Sequence, residues 1–246
     1  MSIQCVVPVS GGKDSQACLK LALETYPADR VRGLFCDTKF EHPLTYEHVE
    51  RLRTMYGEVQ IDTVNAGTVT QKVLNYGRFP DFRSRFCTDE LKIRPTKRYL
   101  KALAEQQGEG FEVWYGMRLG ESTVRAKRYA GMISSELHNP HELLPTKYPK
   151  YLARMGVQFR LPVIEWSELA IKLYLDGEMN PLYDQGFDRV GCFPCLAAGD
   201  KWKRKAFEHD EFGRQQYAKV ITIAKWIDKS PWTSKEELAT CQICSI

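Results

Sequence analysis

Val6-Val7-Pro8-Val9-Ser10-Gly11-Gly12-Lys13-Asp14-Ser15 is the stretch whose reading decides the fold. An apolar run of strand type, Ile3 to Val9, stops at Ser-Gly-Gly, and Ala17, Cys18, Leu21 and Ala22 then recur at helical spacing. Strand, glycine turn and helix N-terminus together gather free backbone N–H groups and the positive end of a helix dipole onto an anion. Gly11 and Gly12 let the main chain approach phosphate closely, and Lys13 adds a point charge. Ser10 and Ser15 add hydroxyls, and Asp14 is suited to holding a magnesium ion on the phosphates. The glycine spacing is shorter than that of a Walker loop.

Outward from this loop the pattern alternates. Val31 to Cys36 reads as a second buried strand ending at Asp37-Thr38, and the position past a strand's carboxyl end is where open α/β sheets bind ligands. A helix opened by Pro43 carries Val49, Leu52 and Met55 on one face and closes at Gly57. Val59 to Val64 reads as a third strand, Thr68 to Tyr76 as a short helix, and Glu112 to Gly116 as a fourth strand. Lys127 to Tyr151 has no periodicity and reads as a long loop, with His138 and His141 solvated rather than metal-bound. Phe159 to Ile164 reads as a last strand, Trp166 to Leu175 as a helix, and Lys201 to Ile227 as one long helix. The βαβ alternation predicts a five- or six-stranded, mainly parallel sheet with helices on both faces. Residues 1–165 are expected to form this nucleotide-binding α/β domain, and residues 166–246 a helical, cysteine-bearing segment.

The 246 residues are 43% apolar with a net charge of +4, enough for a substantial core and weak as a signal of polyanion binding. No run approaches the roughly 18 apolar residues of a membrane helix, and no basic-apolar leader opens the chain, so a cytoplasmic protein without a membrane partner is expected. Eight cysteines then read as reduced thiols or metal ligands. Cys5, Cys18 and Cys36 lie in or beside apolar segments and read as core residues. Cys192 and Cys195 form one C-x-x-C, and Cys241 and Cys244 form another. Between Gly77 and Cys87 three arginines interleave with three phenylalanines, followed by Lys92, Arg94, Lys97 and Arg98. Such interleaving can grip phosphate while stacking a base, which makes Arg83, Arg85 and Lys92 site candidates and a nucleic acid a candidate partner. Lys97 and Arg98 read as a solvated helix face.

Ser10-Gly11-Gly12-Lys13-Asp14-Ser15 resembles the PP-loop of the N-type ATP pyrophosphatases. Four further islands resemble, in family order, the phosphoadenosine-phosphosulfate-reductase-like branch. They are Cys36-Asp37-Thr38 to Thr45-Tyr46, Arg85-Phe86-Cys87-Thr88 to Lys92-Ile93-Arg94-Pro95, Gly116-Met117-Arg118 to Glu121-Ser122, and Asn180-Pro181-Leu182-Tyr183 to Gly191-Cys192-Phe193-Pro194-Cys195. The resemblance implies an adenine-nucleotide α-hydrolase-like, Rossmann-like fold that takes ATP or an adenylyl sulfate with Mg²⁺. It implies that Asp37, Arg118, Glu121, Ser122 and Arg125 face the nucleotide, beside Arg85 and Lys92. Lys39 stands where members commonly have glycine. The resemblance also implies that Cys87 joins Cys192 and Cys195; with Cys244 these thiolates would hold a [4Fe–4S] cluster, zinc and no metal being the alternatives.

Three functions stay open. In the first, ATP is cleaved at its α–β bond, with Lys13 stabilising the leaving pyrophosphate and Asp14 helping to hold magnesium; sulfur transfer follows, onto nucleic acid or another acceptor, with a cysteine desulfurase as candidate partner. In the second, Cys241 or Cys244 attacks the sulfur of an adenylyl sulfate, with thioredoxin as candidate partner. The third is a nucleotide- or nucleic-acid-binding module without catalysis. The complete loop favours the first, because reductases of this family usually carry an altered one. The sequence leaves the oligomeric state open, a homodimer included.

Overall fold

The computed structural model describes residues 2–81, 83–144 and 146–233. Cys241 and Cys244, and any role expected of them, lie outside the described residues. The strands are β1 (Cys5–Val9), β2 (Val31–Asp37), β3 (Gln60–Asn65), β4 (Glu112–Trp114), β5 (Leu137–His138) and β6 (Gln158–Arg160). Helices in the first half are α1 (Lys13–Thr25), α2 (Pro43–Met55), α3 (Val69–Tyr76), α4 (Phe86–Thr88) and α5 (Arg94–Gln107). Those in the second half are α6 (Thr123–Arg128), α7 (Pro140–Leu143), α8 (Lys150–Arg154), α9 (Glu168–Leu175), α10 (Asp200–Glu208) and α11 (Glu211–Ile227).

The strands form one six-stranded sheet in the order β3-β2-β1-β4-β6-β5. β1 runs parallel to β2 and β4, β4 runs parallel to β6, and β5 alone is shown antiparallel, against β6. β1 is buried on both sides, as its unbroken apolar run requires of a central parallel strand. Its alternating side chains separate two cores. Cys5, Val7 and Val9 pack with Ala17, Cys18 and Leu19 of α1, Leu52 of α2 and Ile171 and Leu175 of α9. Ile3 and Val6 pack with Leu100 and Ala104 of α5 and Leu152 of α8. Helices therefore cover both faces, as expected.

The chain divides into two compact units that alternate along the sequence. Unit 1 comprises Met1–Cys36, Pro43–Val64 and Ile93–Val190; unit 2 comprises Asp37–His42, Asn65–Lys92 and the chain from Gly191 onward. The expected serial boundary at 165/166 does not coincide with this division. Unit 2 has its own core, in which Phe40, Val69, Val73, Phe86 and Leu91 meet Leu196, Phe207, Val220, Ile223 and Trp232.

Four local expectations are corrected. The stretch 127–151 is not a structureless loop: it carries the end of α6, β5, α7 and the start of α8, and buries Tyr129, Leu143 and Tyr148 in the second core at irregular spacings. The expected helix over 201–227 is two helices, because the Asp210 side chain accepts from Gly213 N–H at 2.7 Å and starts α11 afresh. The last strand stops at Arg160, and Leu161, Val163 and Ile164 are buried outside it. Cys36 is half-buried against the Thr96 hydroxyl at 3.4 Å, whereas Cys5 and Cys18 do lie in the core.

Candidate functional site

In unit 1 the loop after β1 closes on its own serines. Ser10 N–H donates to Ser15 Oγ at 3.1 Å, and Ser15 Oγ–H donates to the Gly12 carbonyl at 2.9 Å. Gly11 takes the left-handed conformation, φ 75°, and a Cβ there would lie 2.6 Å from Thr45 Cγ2. Asn180, fully buried, donates from Nδ2 to the Gly11 carbonyl and to Thr45 Oγ1, both at 3.3 Å. On the other side, a Cβ on Gly116 would meet the Asp14 carbonyl at 2.6 Å, so the chain after β4 lies against the first turn of α1.

Lys13 opens α1 and is 4% exposed. Its backbone N–H donates to Tyr183 Oη at 3.0 Å. Its ammonium donates to the Asp188 carbonyl at 3.1 Å, lies 4.6 Å from the Tyr183 ring centroid and 3.6 Å from Glu168 Oε1. Burial pushes the Tyr183 phenol well above its usual range, so it stays a neutral hydrogen-bonding group. Asp14 accepts from Arg118 Nε at 2.5 Å, and Arg118 is 5% exposed. Glu121 Oε2 in turn accepts from Arg118 N–H at 3.1 Å and pairs with Arg125, while Ser122 Oγ caps α6. Of the expected nucleotide residues, unit 1 thus links Ser10, Gly11, Gly12, Lys13, Asp14, Ser15, Arg118 and Glu121 in one hydrogen-bonded and packed array. Glu121 and Ser122 also serve the local fold as caps.

Unit 2 holds the remaining candidates. The Asp37 carboxylate accepts from Lys39 N–H at 2.9 Å and pairs with its ammonium at 2.7 Å. Lys39 adopts φ 57°, the conformation that a glycine would take freely. Glu41 is held by Thr38 N–H, Thr38 Oγ1 and Phe40 N–H, and its Oε1 lies 3.7 Å from Cys192 Sγ. Burial pushes the Cys192 thiol up to about 11, against the opposing charge of Lys92. The Cys87 thiol is also raised, first by burial and then by Cys195, with Lys92 opposing. Cys195 and Lys92 therefore lie within electrostatic reach of both Cys87 and Cys192. Arg85 is exposed and stands at the start of α4.

Of the phenylalanines expected to stack a base, Phe82 lies outside the described residues, and Phe79 and Phe86 pack within unit 2. Phe86 stacks on Tyr76 at 4.2 Å with Arg78 over its ring at 5.4 Å, and Phe79 packs against the core of unit 2. Among the described residues no group of three or more His, Cys, Asp and Glu side chains is disposed to hold a metal ion.

Sequence reasoning missed the roles of Thr45, Asn180 and Tyr183, although their stretches carry the resemblance. Asp188 gave no signal at all, because it contributes only a main-chain carbonyl.

The glycine turn that opens α1 lies at the carboxyl end of the central parallel strand β1, the place where open α/β sheets bind ligands. Residues 4–198 match the phosphoadenosine phosphosulfate reductase domain, and the chain belongs to that family. It is 31% identical, over 94% of its length and 46% of the relative's, to an uncharacterised protein of Methanocaldococcus jannaschii. It is 27% identical to the adenosine 5'-phosphosulfate reductase of Deinococcus radiodurans, over 69% of this chain and 58% of that one. The phosphoadenosine 5'-phosphosulfate reductase of Gloeobacter violaceus is 25% identical over 79% and 76% of the two chains. A crystal structure of the phosphoadenylyl-sulfate reductase of Candida auris, in complex with phosphate, shares the fold at a TM-score of 0.50 and 19% identity, covering 78% and 82%. The chain spans about half the length of the Methanocaldococcus relative. No helix among the described residues is long and apolar enough to cross a membrane.

Proposed function

We propose that this chain is a PP-loop enzyme of sulfur metabolism that binds ATP and cleaves it between the α and β phosphates. The observation that carries the reading is the intact Ser10–Ser15 loop, braced by Asn180 and opening α1 at Lys13. An acceptor oxygen would attack the α-phosphorus, forming a new O–P bond as the bridging O–P bond breaks and pyrophosphate leaves with the electron pair. Backbone N–H groups of the first turn and the Lys13 ammonium are suited to the charge that develops there. Lys13 would turn from Glu168 and Asp188 towards phosphate. The donor set fits magnesium: Asp14, Ser10 and Ser15 are hard oxygen ligands that would hold it, and the ion neutralises phosphate charge when bound. Sulfur would then displace AMP from the adenylylated centre, with nucleic acid as a candidate acceptor.

Pyrophosphate release from Mg–ATP tests this directly. Lys13→Ala is expected to lower it at least about a hundredfold, as loss of one positioned charge-stabilising group does. Unchanged ATP affinity and turnover in Lys13→Ala would sink the reading. The two relatives named as reductases favour a second reading, reduction of an adenylyl sulfate, for which Cys241 or Cys244 is the candidate nucleophile. Sulfite release from adenosine 5'-phosphosulfate, lost in Cys241→Ser or Cys244→Ser, would put that reading first. Metal analysis of anaerobically purified wild type and Cys192→Ser decides separately whether the thiols hold iron–sulfur, zinc or neither.

A further inference from the structure

We propose that unit 1 carries a second small-molecule site, for a zwitterionic α-amino acid, at the amino ends of β1 and β2. A cavity of about 630 Å³ lies there, within the size range of ligand pockets, and its wall includes Arg32, Gln60, Asp62, Tyr99, Gln106 and Glu109. The phosphate loop follows the opposite end of β1, so the five residues of that strand put about 17 Å between the two places.

The placement of charge carries the inference. Arg32 is half-buried, and its guanidinium has no carboxylate or hydrogen-bond acceptor among the described residues. Asp62 shares the cavity yet accepts from two neutral donors, Tyr99 Oη at 2.6 Å and Gln60 Nε2 at 2.8 Å. The Glu109 carboxylate, on the rim, likewise meets no cation among the described residues. A free guanidinium and a free carboxylate thus face one cavity without meeting each other. The complement is a small molecule bearing both a carboxylate and an ammonium group. The planar fork of Arg32 suits the former, and Glu109 with Asp62 suits the latter. Gln107 fixes the wall between α5 and β1, since its Oε1 accepts from Ile3 N–H at 3.0 Å and its Nε2 donates to the Ile3 carbonyl at 3.1 Å.

Titration calorimetry on the full chain tests this with L-alanine, L-cysteine and L-glutamine against acetate, methylamine and inorganic phosphate. At least one amino acid is expected to bind with a millimolar or lower Kd, at least tenfold tighter than acetate or methylamine. Arg32→Leu is expected to weaken that binding at least tenfold. Glu109→Gln, on the exposed rim, is expected to weaken it severalfold and keeps the test valid should Arg32→Leu unfold. No amino-acid binding at 10 mM, equal binding in the variants, or phosphate binding in preference to every amino acid would overturn the site.

Discussion

Gly11 carries two constraints at one Cα. Its φ of 75° lies in the left-handed region, and a Cβ would meet Thr45 Cγ2 at 2.6 Å. Gly11→Ala is expected to destabilise the protein by about 1–2 kcal/mol from the backbone term alone, with the contact added to it, read as a fall in thermal midpoint. Adding Thr45→Ser removes the methyl that obstructs and should restore part of the loss, never all of it, because the strained φ stays. A double variant no more stable than Gly11→Ala would show that the contact contributes nothing. At this scale the loop was legible, because Gly11, Gly12 and Lys13 are contiguous and each residue type has a stated use at a phosphate. The residues that brace it were not. Asn180 reaches the Gly11 carbonyl across 169 positions, and a single asparagine bears no mark of the partner it will find.

Elements were legible wherever period and caps agree. β1, β2, α2 and α3 fall within two residues of their expected bounds, since Pro43 starts α2 and Thr68 caps α3. The exceptions have physical causes. The apolar period runs on from α10 into α11, and only the capping geometry of Asp210 reveals the break. Asp210 also bonds His42 Nε2 at 2.8 Å, so one carboxylate starts a helix and holds a buried ring within unit 2. Asp210→Ala is expected to lower stability by about 1–2 kcal/mol and to speed amide exchange in the first turn of α11. Asp210→Asn retains a capping oxygen and should recover most of that protection. Equal exchange in both variants would assign the break to the close approach of Gly213 to the Ala206 carbonyl instead.

Stability as a whole has a pH dependence that starts at one buried ring. His48 is 1% exposed, its Nε2 bonds Gln16 Oε1 at 2.9 Å, and its buried Nδ1 has no partner among the described residues. Burial first, and the Arg51 charge second, lower its pKa from 6.5 to about 4. The unfolded chain therefore takes up the proton first, so this contribution is full above pH 6.5 and is lost as pH falls from 6.5 towards 4. The gap corresponds to about 3 kcal/mol, seen as a falling urea midpoint between pH 7 and pH 4.5 and flattened in His48→Gln. Chain connectivity makes the stronger prediction. A fragment of residues 1–165 looks like a natural domain by sequence, because the last strand signal ends there and a helical, cysteine-bearing segment follows. The packing says otherwise. The fragment lacks Ile171 and Leu175, both fully buried against α1, and it lacks Asn180, which holds the loop. It also separates Phe40, Val69, Val73, Phe86 and Leu91 from Leu196, Phe207, Val220, Ile223 and Trp232 in the core of unit 2. At about 1.5–3 kcal/mol per buried apolar side chain, these losses exceed the 5–15 kcal/mol by which a domain is stable. Residues 1–165 alone should show no cooperative unfolding and weak near-ultraviolet circular dichroism beside the full chain. A sharp thermal transition in the fragment would mean instead that the serial boundary is the true one and that the alternation of units along the sequence has no energetic weight.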